Sequence, residues 1–119
     1  MLNDYLICAI WTSIGDDCEP LDTEFGVEDI SEGTRIQSNT DILSAIMLAD
    51  DACPDWRDFW NEQHFAHDLW LTRNGHGSGF WDRYTGGRGE EIGDILTGIA
   101  ESMGNVDLYV GDDGRVYSA

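Results

Sequence analysis

The amino-acid sequence predicts a single α+β domain spanning residues 1–119, in which two to three helices cover one face of a small antiparallel sheet. The apolar, β-rich segment 5–14 predicts an N-terminal strand, and residues 106–118 predict a C-terminal hairpin. Between them, apolar residues recur at helical spacing in three segments. A chain of this length folds as one domain and buries about two-thirds of its unfolded surface.

The N-terminal strand is predicted because residues 5–14 read Tyr-Leu-Ile-Cys-Ala-Ile-Trp-Thr-Ser-Ile and the run ends at a glycine. A short continuous apolar run with β-branched and aromatic residues is typical of a buried strand. The acidic stretch 15–37 follows and is interrupted by three glycines and a proline. It is therefore predicted to be loop, with one short helical turn near Val27–Ser31.

Three helices are predicted in the middle of the chain. The first spans Thr40–Asp51, because apolar residues fall on one face after residues that suit an N-cap. The second begins at Pro54, which suits a first helical turn, and ends at Asn74, with a strand over Asp68–Arg73 as the alternative. The third spans Glu90–Met103 and stops at a glycine.

The C-terminal hairpin is predicted from two β-rich segments, Val106–Val110 and Arg115–Ser118. They flank the dipeptide Asp113-Gly114, which is typical of a tight turn. The glycine-rich segment 74–89 before the third helix contains too many glycines for a regular helix and is predicted to be a loop.

The charge of the chain narrows the class of function. The chain has 24 Asp and Glu against six Arg and no Lys, a net charge of −18. Direct binding to nucleic acid is excluded, because it requires clustered Lys and Arg to neutralise phosphates. With five Trp, four Tyr and four Phe, the chain is too aromatic for a disordered acidic tail, so the acids belong to a folded body.

The sequence also predicts where the protein is found. Its first residues lack the basic region of a signal peptide, and no apolar run reaches the roughly 18 residues of a membrane span. Its three cysteines lack metal-type spacing and are expected to be reduced thiols, with Cys8 and Cys53 in the core and Cys18 as the third. We therefore expect a cytoplasmic protein with no membrane partner.

Acidic residues form the first candidate site. One group recurs at i, i+4, i+7 and i+11, which on a continuous helix is a single stripe of carboxylates. Such a stripe resembles a row of backbone phosphates, whereas the alternative is a solvated face of an acidic protein. The residues predicted to bind a basic partner are Asp51, Asp55, Asp58 and Glu62, followed by Asp16, Asp17, Glu28 and Asp29.

The glycine-rich segment forms the second candidate site, a flexible loop that could approach a ligand closely. Its candidate ligand residues are His67, Asp68, Arg73, His76, Asp82 and Arg83. The alternative is structural: the two arginines pair with carboxylates, while the aromatic residues pin the loop to the core. On that interpretation Trp70, Phe80 and Trp81 are buried and His67 faces the same core.

No catalytic residue, metal site or cofactor is predicted. The sequence contains no G-x-S-x-G nucleophile elbow and no phosphate-cradling glycine motif. His64 and His67 are three residues apart, whereas the helical zinc motif places its histidines four apart with a Glu between them. The acids of the segment 16–28 do not match the calcium-binding EF-hand loop.

One stretch resembles other proteins. Residues 67–83 read His-Asp-Leu-Trp-Leu-Thr-Arg-Asn-Gly-His-Gly-Ser-Gly-Phe-Trp-Asp-Arg. The stretch from about Ala66 to Arg83, together with Leu108–Tyr117, resembles small, uncharacterised acidic proteins encoded by bacteriophages and mobile elements, over roughly a quarter of the chain. The resemblance implies an origin rather than a chemistry. A phage origin favours a counter-defence role, in which an acidic surface imitates DNA in the host cytoplasm.

Three hypotheses follow from these observations. The first, which we predict, is a non-enzymatic DNA-mimic inhibitor that binds the basic surface of a host nucleic-acid-binding protein, as anti-restriction or anti-CRISPR proteins do. The second is a small enzyme or a ligand-binding or metal-binding protein that uses the loop 74–89. The third attributes the acidity to a saline or GC-rich host, since a chain with Arg but no Lys fits GC-rich codon usage. The sequence leaves the target and the oligomeric state open.

Overall fold

The structure, a computed structural model, describes residues 1–14 and 18–119. Within these residues the chain forms four α-helices, several single turns of 3₁₀-helix and one antiparallel hairpin. The elements are α1 (Leu2–Thr12), α2 (Glu32–Ala52), α3 (Glu62–Arg73), α4 (Gly87–Ser102), β1 (Leu108–Val110) and β2 (Val116–Ser118). None of the helices in this part of the chain combines the length and the apolar content needed to cross a membrane.

The predicted N-terminal strand is wrong, and so is the covered sheet that depended on it. Residues 2–12 form α1, and the sheet of the described residues is the two-stranded hairpin alone. The molecule is therefore mostly helical with one hairpin, which fits a small α+β fold. The error has a physical cause. Only Asn3, Ile7 and Trp11 of α1 are exposed, and a helix buried on almost every side has the same continuous apolar sequence as a buried strand.

The helix α1 packs against α2 and α3. The ring of Tyr5 meets that of Trp70 edge to face, with centroids 5.4 Å apart. The indole Nε1 of Trp70 donates to the hydroxyl of Thr12 at 2.7 Å. Cys8 in α1 is buried, as predicted. Cys53, which follows the end of α2, is buried as well, as predicted.

The helix α2 begins at Glu32, earlier than the predicted start at Thr40. Ser31 caps it, because its hydroxyl oxygen accepts the backbone N–H of Thr34 at 3.2 Å. The acidic loop predicted over 15–37 therefore ends earlier, and the short helical turn predicted near Val27–Ser31 is a 3₁₀ turn over Val27–Asp29.

The second predicted helix is correct only in its C-terminal half. Residues 53–61 form an irregular connection with a 3₁₀ turn at Trp56–Asp58, and α3 begins at Glu62. The amide oxygen of Asn61 accepts the backbone N–H of His64 at 2.7 Å and caps α3. Trp60 is fully buried at the end of this connection. The alternative strand over Asp68–Arg73 is wrong, because these residues lie in α3.

The predicted hairpin is confirmed, and so is the third helix, although it begins three residues before the predicted Glu90 and shortens the predicted loop 74–89. The helix α4 spans Gly87–Ser102, and β1 pairs with β2 so that Tyr109 lies opposite Tyr117. The hairpin docks on the start of α2. Val116 is completely buried, and its carbonyl accepts the backbone N–H of Ser31 at 2.8 Å. The N–H of Ser118 donates to the hydroxyl of Thr34 at 3.0 Å.

The glycine-rich segment docks on the core only in part as predicted. Trp70 and Phe80 are buried, and Phe80 packs against Trp60 and Phe65 with centroids 5.9 Å and 5.3 Å away. Trp81, however, is 48% exposed, so the prediction that it is buried is wrong. Phe80 and Trp81 are consecutive in one 3₁₀ turn, which points adjacent side chains in different directions.

Two glycines of α4 test how closely this segment packs on the helix. A Cβ on Gly93 would lie 2.7 Å from the carbonyl oxygen of Phe80, whereas a Cβ on Gly98 would meet nothing within 4 Å. We expect Gly93→Ala to lower the free energy of unfolding by about 1–3 kcal/mol through overpacking. Gly98→Ala should raise it by about 0.5–1 kcal/mol, the gain in helix propensity. Urea unfolding followed by circular dichroism measures both. Equal effects of the two substitutions would contradict this packing.

Candidate functional site

The predicted carboxylate stripe does not lie on one helix. Asp51 lies in the last turn of α2, Asp55 and Asp58 lie in the connection, and Glu62 opens α3. Because residues 53–61 interrupt the helix, the helical spacing that would align the four carboxylates is absent. Asp51, Asp58 and Glu62 are nevertheless exposed, so this corner of the molecule remains acidic.

Arginine side chains neutralise two carboxylates at this corner. The Arg88 guanidinium in the first turn of α4 donates to both oxygens of Asp55, at 2.8 Å and 2.9 Å. This hydrogen bonding lowers the pKa of Asp55. Asp50 accepts from the indole of Trp56 and from Arg57, and both bonds lower its pKa. The Asp55–Arg88 pair therefore links the start of α4 to the connection between α2 and α3 at the surface.

The second set of predicted acids lies before α2. Asp16 and Asp17 fall outside the described residues. Glu28 is exposed in the 3₁₀ turn, and Asp29 accepts the backbone N–H of Gly26 at 2.8 Å. The side chain of Asp29 therefore has a local structural role, and Glu28 remains free to face a partner.

The sequence does contain a row of acids on a continuous helix, although it is not the stripe that was predicted. Glu90, Asp94 and Glu101 lie on α4 at i, i+4 and i+11, and all three are exposed. At 1.5 Å per residue they follow one another along about 16 Å of the helix. Their spacing is readable in the sequence. The predicted stripe from Asp51 to Glu62 contains the same i, i+4 and i+11 spacing, but residues 53–61 interrupt the helix there.

The side chain of Arg73 lies inside the fold and not in a ligand loop. It is 5% exposed, and its guanidinium contacts three other elements. One nitrogen donates to the Asp41 carboxylate at 2.9 Å and to the Tyr5 hydroxyl at 3.2 Å. The others donate to the carbonyls of Gly104 at 2.9 Å and Met103 at 3.2 Å. The prediction that Arg73 pairs with a carboxylate is confirmed.

Asp68 and Arg83 form a second internal ion pair. Asp68 is 2% exposed, and its carboxylate accepts two bonds from the Arg83 guanidinium, at 2.7 Å and 2.9 Å. It also accepts the indole N–H of Trp60 at 2.8 Å. The hydrogen bond to Asp68 raises the pKa of Arg83. This pair ties the glycine-rich segment to α3, as the structural alternative predicted.

The other residues of the candidate ligand loop do not join this pair. His67 is half-buried on α3, and its backbone carbonyl accepts from the thiol of Cys8 at 3.9 Å. The backbone N–H of His76 donates to the carbonyl of Leu71, and Asp82 accepts the N–H of Gly79 at 2.9 Å. Across residues 1–14 and 18–119, no group of three or more His, Cys, Asp or Glu side chains could hold a metal ion.

The thiols differ sharply in their surroundings. Burial, together with the charge of Asp68, raises the pKa of the Cys8 thiol to about 12. Burial also raises the pKa of Cys53, whereas Cys18 is exposed. Because the thiolate is the reactive form, the two buried cysteines act as apolar core residues rather than nucleophiles.

Comparisons with protein-family models, with curated proteins and with solved structures found no match for this chain. The resemblance over residues 67–83 stays a prediction. The stretch nevertheless has a structural role in this fold. Four of its side chains make hydrogen bonds that join separate parts of the fold, namely Asp68, Trp70, Arg73 and Arg83.

Because the Asp68–Arg83 pair is more buried than the Asp55–Arg88 pair, removal of Arg83 should lower the free energy of unfolding much more than removal of Arg88. Arg83→Met leaves the Asp68 carboxylate buried without its counter-charge and should destabilise the fold by about 3 kcal/mol. Arg88→Met removes an ion pair of similar geometry at the surface and should leave the urea midpoint nearly unchanged. Urea unfolding of both variants at neutral pH tests this difference. Equal midpoints would show that burial of Asp68 does not matter.

The thiols predict an ordered pattern of chemical labelling. We expect iodoacetamide at neutral pH to modify Cys18 in the folded protein and to leave Cys8 and Cys53 unmodified. In urea all three should react, which serves as the control. Peptide mass spectrometry identifies the modified residues. Rapid labelling of Cys8 in the folded state would contradict its burial and its raised pKa.

Proposed function

We propose that this chain is a non-enzymatic, phage-type counter-defence protein that binds the basic, nucleic-acid-binding surface of a bacterial restriction, CRISPR or repair protein. The observation that carries the proposal is that most of the arginine side chains bind oxygen atoms of the chain itself, while most of the carboxylates in the described part of the chain pair with no arginine. The net charge is −18, and five of the six arginines donate to oxygen atoms of the chain itself. These five are Arg35, Arg57, Arg73, Arg83 and Arg88.

The arginines donate mainly to oxygen atoms of the chain itself, and the many remaining carboxylates leave the surface strongly anionic. Asp41, Asp50, Asp55, Asp68 and Glu91 are the acids that pair with arginine among the described residues. Most other carboxylates are exposed to solvent. A field of one sign attracts a cationic surface from a distance, and it accelerates association in a salt-dependent way.

The acids that best fit such a partner lie on and around α4. The helix is a rigid element, and Glu90, Asp94 and Glu101 hold carboxylates along one line of it, at intervals of four and seven residues. The Asp55–Arg88 pair places the start of this helix next to the acidic corner that includes Asp58. Lysine and arginine side chains that ordinarily bind phosphates can pair with carboxylates in such an arrangement. The resemblance over residues 67–83 supports the phage-type role.

The test is a competition experiment with matched charge variants. The immobilised protein is incubated with bacterial lysate at about 50 mM salt, where such contacts are strong, and bound proteins are eluted with duplex DNA. One variant combines Glu90→Gln, Asp94→Asn and Glu101→Gln. The control removes the same charge from exposed acids elsewhere, through Asp22→Asn, Glu24→Gln and Asp112→Asn.

We expect the wild-type chain to retain a nucleic-acid-binding protein that DNA and high salt release. The α4 variant should retain much less of it, whereas the control should behave like the wild type. If the wild-type chain retains no nucleic-acid-binding protein at low salt, the proposed function is wrong. If both variants weaken retention equally, net charge rather than the α4 row carries the binding.

A further inference from the structure

The helix α2 has apolar residues on two opposite faces. Its buried face consists of Thr34, Ser38, Ile42, Ala45 and Ala49. On the opposite face, Ile36, Leu43 and Met47 recur at i, i+7 and i+11 and are 61%, 53% and 73% exposed. We call these three residues the α2 row. Its length is about 16 Å at 1.5 Å per residue.

The α2 row is not explained by the core of this chain. Its residues point away from α1, α4 and the hairpin, which pack against the buried face of α2. Single exposed apolar residues are common on protein surfaces, but a straight row of large ones on a helix is typical of a binding face. Recognition helices present apolar anchors four and seven residues apart, and the residues of the α2 row have these two intervals.

Acidic residues stand at both ends of the α2 row. Glu32 lies one turn before Ile36, and Asp51 lies one turn after Met47, so both continue the same line along the helix. Both are exposed, and neither appears among the ion pairs of residues 1–14 and 18–119. A partner that covers the row therefore meets a carboxylate at each end.

This arrangement disfavours a second copy of the chain as the occupant. If two α2 helices paired in antiparallel fashion, Glu32 of each copy would face Asp51 of the other. Parallel pairing would set each acid against its own equivalent. Like charges so placed are destabilising, and two chains of net charge −18 repel each other at longer range as well. The same charge disfavours an anionic lipid surface.

We infer that the α2 row docks an amphipathic helix of a basic protein, whose apolar side chains cover the row and whose Lys or Arg residues pair with Glu32 and Asp51. The inference rests on the proposed function in one respect, namely that the partner is basic. It adds that the partner contributes a helix with an apolar face, in addition to the cations that the α4 acids attract. The distance from Glu32 to Asp51, about 28 Å, corresponds to a helix of about 19 residues.

The test compares two cationic peptides. One is a Leu/Lys peptide of about 19 residues in which Leu recurs at helical spacing. The other is oligolysine of the same charge. Calorimetry at about 150 mM salt should show at least tenfold tighter binding of the Leu/Lys peptide to the wild-type chain, because only that peptide buries apolar surface. The variant Ile36→Gln/Leu43→Gln/Met47→Gln keeps the net charge and should bind the two peptides equally.

The control variant is Ile7→Gln/Trp11→Gln/Ile14→Gln, which removes three apolar residues of similar exposure from the α1 side of the molecule. It should retain the preference for the Leu/Lys peptide. Equal loss of preference in both variants would overturn the inference, because any apolar surface would then serve. Light scattering that shows a dimer of the wild-type chain, but not of the row variant, would overturn it in favour of self-association. Binding of zwitterionic vesicles through the row would overturn it in favour of a lipid surface.

The lysate experiment separates this inference from the proposed function. If the wild-type chain retains a nucleic-acid-binding protein and the row variant retains it equally well, the proposed function stands and the α2 row is not its docking face. If the wild-type chain retains no such protein, the proposed function fails, and the peptide comparison alone decides whether the row accepts a basic helix. Loss of retention in the row variant, with the α1 control unaffected, supports both.

Discussion

The buried guanidinium of Arg73 connects more of this fold than any other contact described above. It reaches α1 through Tyr5, α2 through Asp41, and the end of α4 through the carbonyls of Met103 and Gly104. Those carbonyls lie at a helix end, where no intrahelical donor is available to them. Burial of a cation is costly in most proteins, but here hydrogen bonds and a carboxylate surround it, and the field of a strongly acidic chain favours it further.

The same principle organises the other arginines. The pair Asp55–Arg88 joins residues 33 positions apart, and the pair Asp68–Arg83 joins α3 to the glycine-rich segment that follows it, so the fold uses its few cations as cross-connections. These ion pairs stabilise the fold, since each offsets part of the repulsion among the acidic residues. The surface nevertheless keeps an excess of carboxylates, which is available for binding a cationic partner. A partner with exposed cations can supply the counter-charge that the chain itself lacks.

The sequence predicted the elements whose ends have local determinants. The third helix has a glycine stop, and the hairpin has an Asp-Gly turn. It did not predict α1, because a helix buried on most sides lacks the periodicity that identifies helices. It misplaced the start of α2, whose two apolar faces obscure the helical pattern. For the candidate site, the sequence identified Arg73 and Arg83 as paired residues but not their partners. Arg73 and Asp41 are 32 residues apart, and only tertiary packing brings them together.

The docking of the hairpin on the start of α2 has a consequence for the order of folding during synthesis. The hydroxyl of Thr34, in the first turn of α2, accepts a hydrogen bond from the N–H of Ser118, which follows it by 84 residues. The N–H of Ser31 donates to the carbonyl of Val116, which is also near the C-terminal end of the described residues. Nearly all of the described residues are therefore synthesised before the first turn of α2 can contact β2. Contacts between such distant residues form after local ones, because the intervening loop must close first. The first turn of α2 therefore lacks these two contacts until the hairpin has been synthesised.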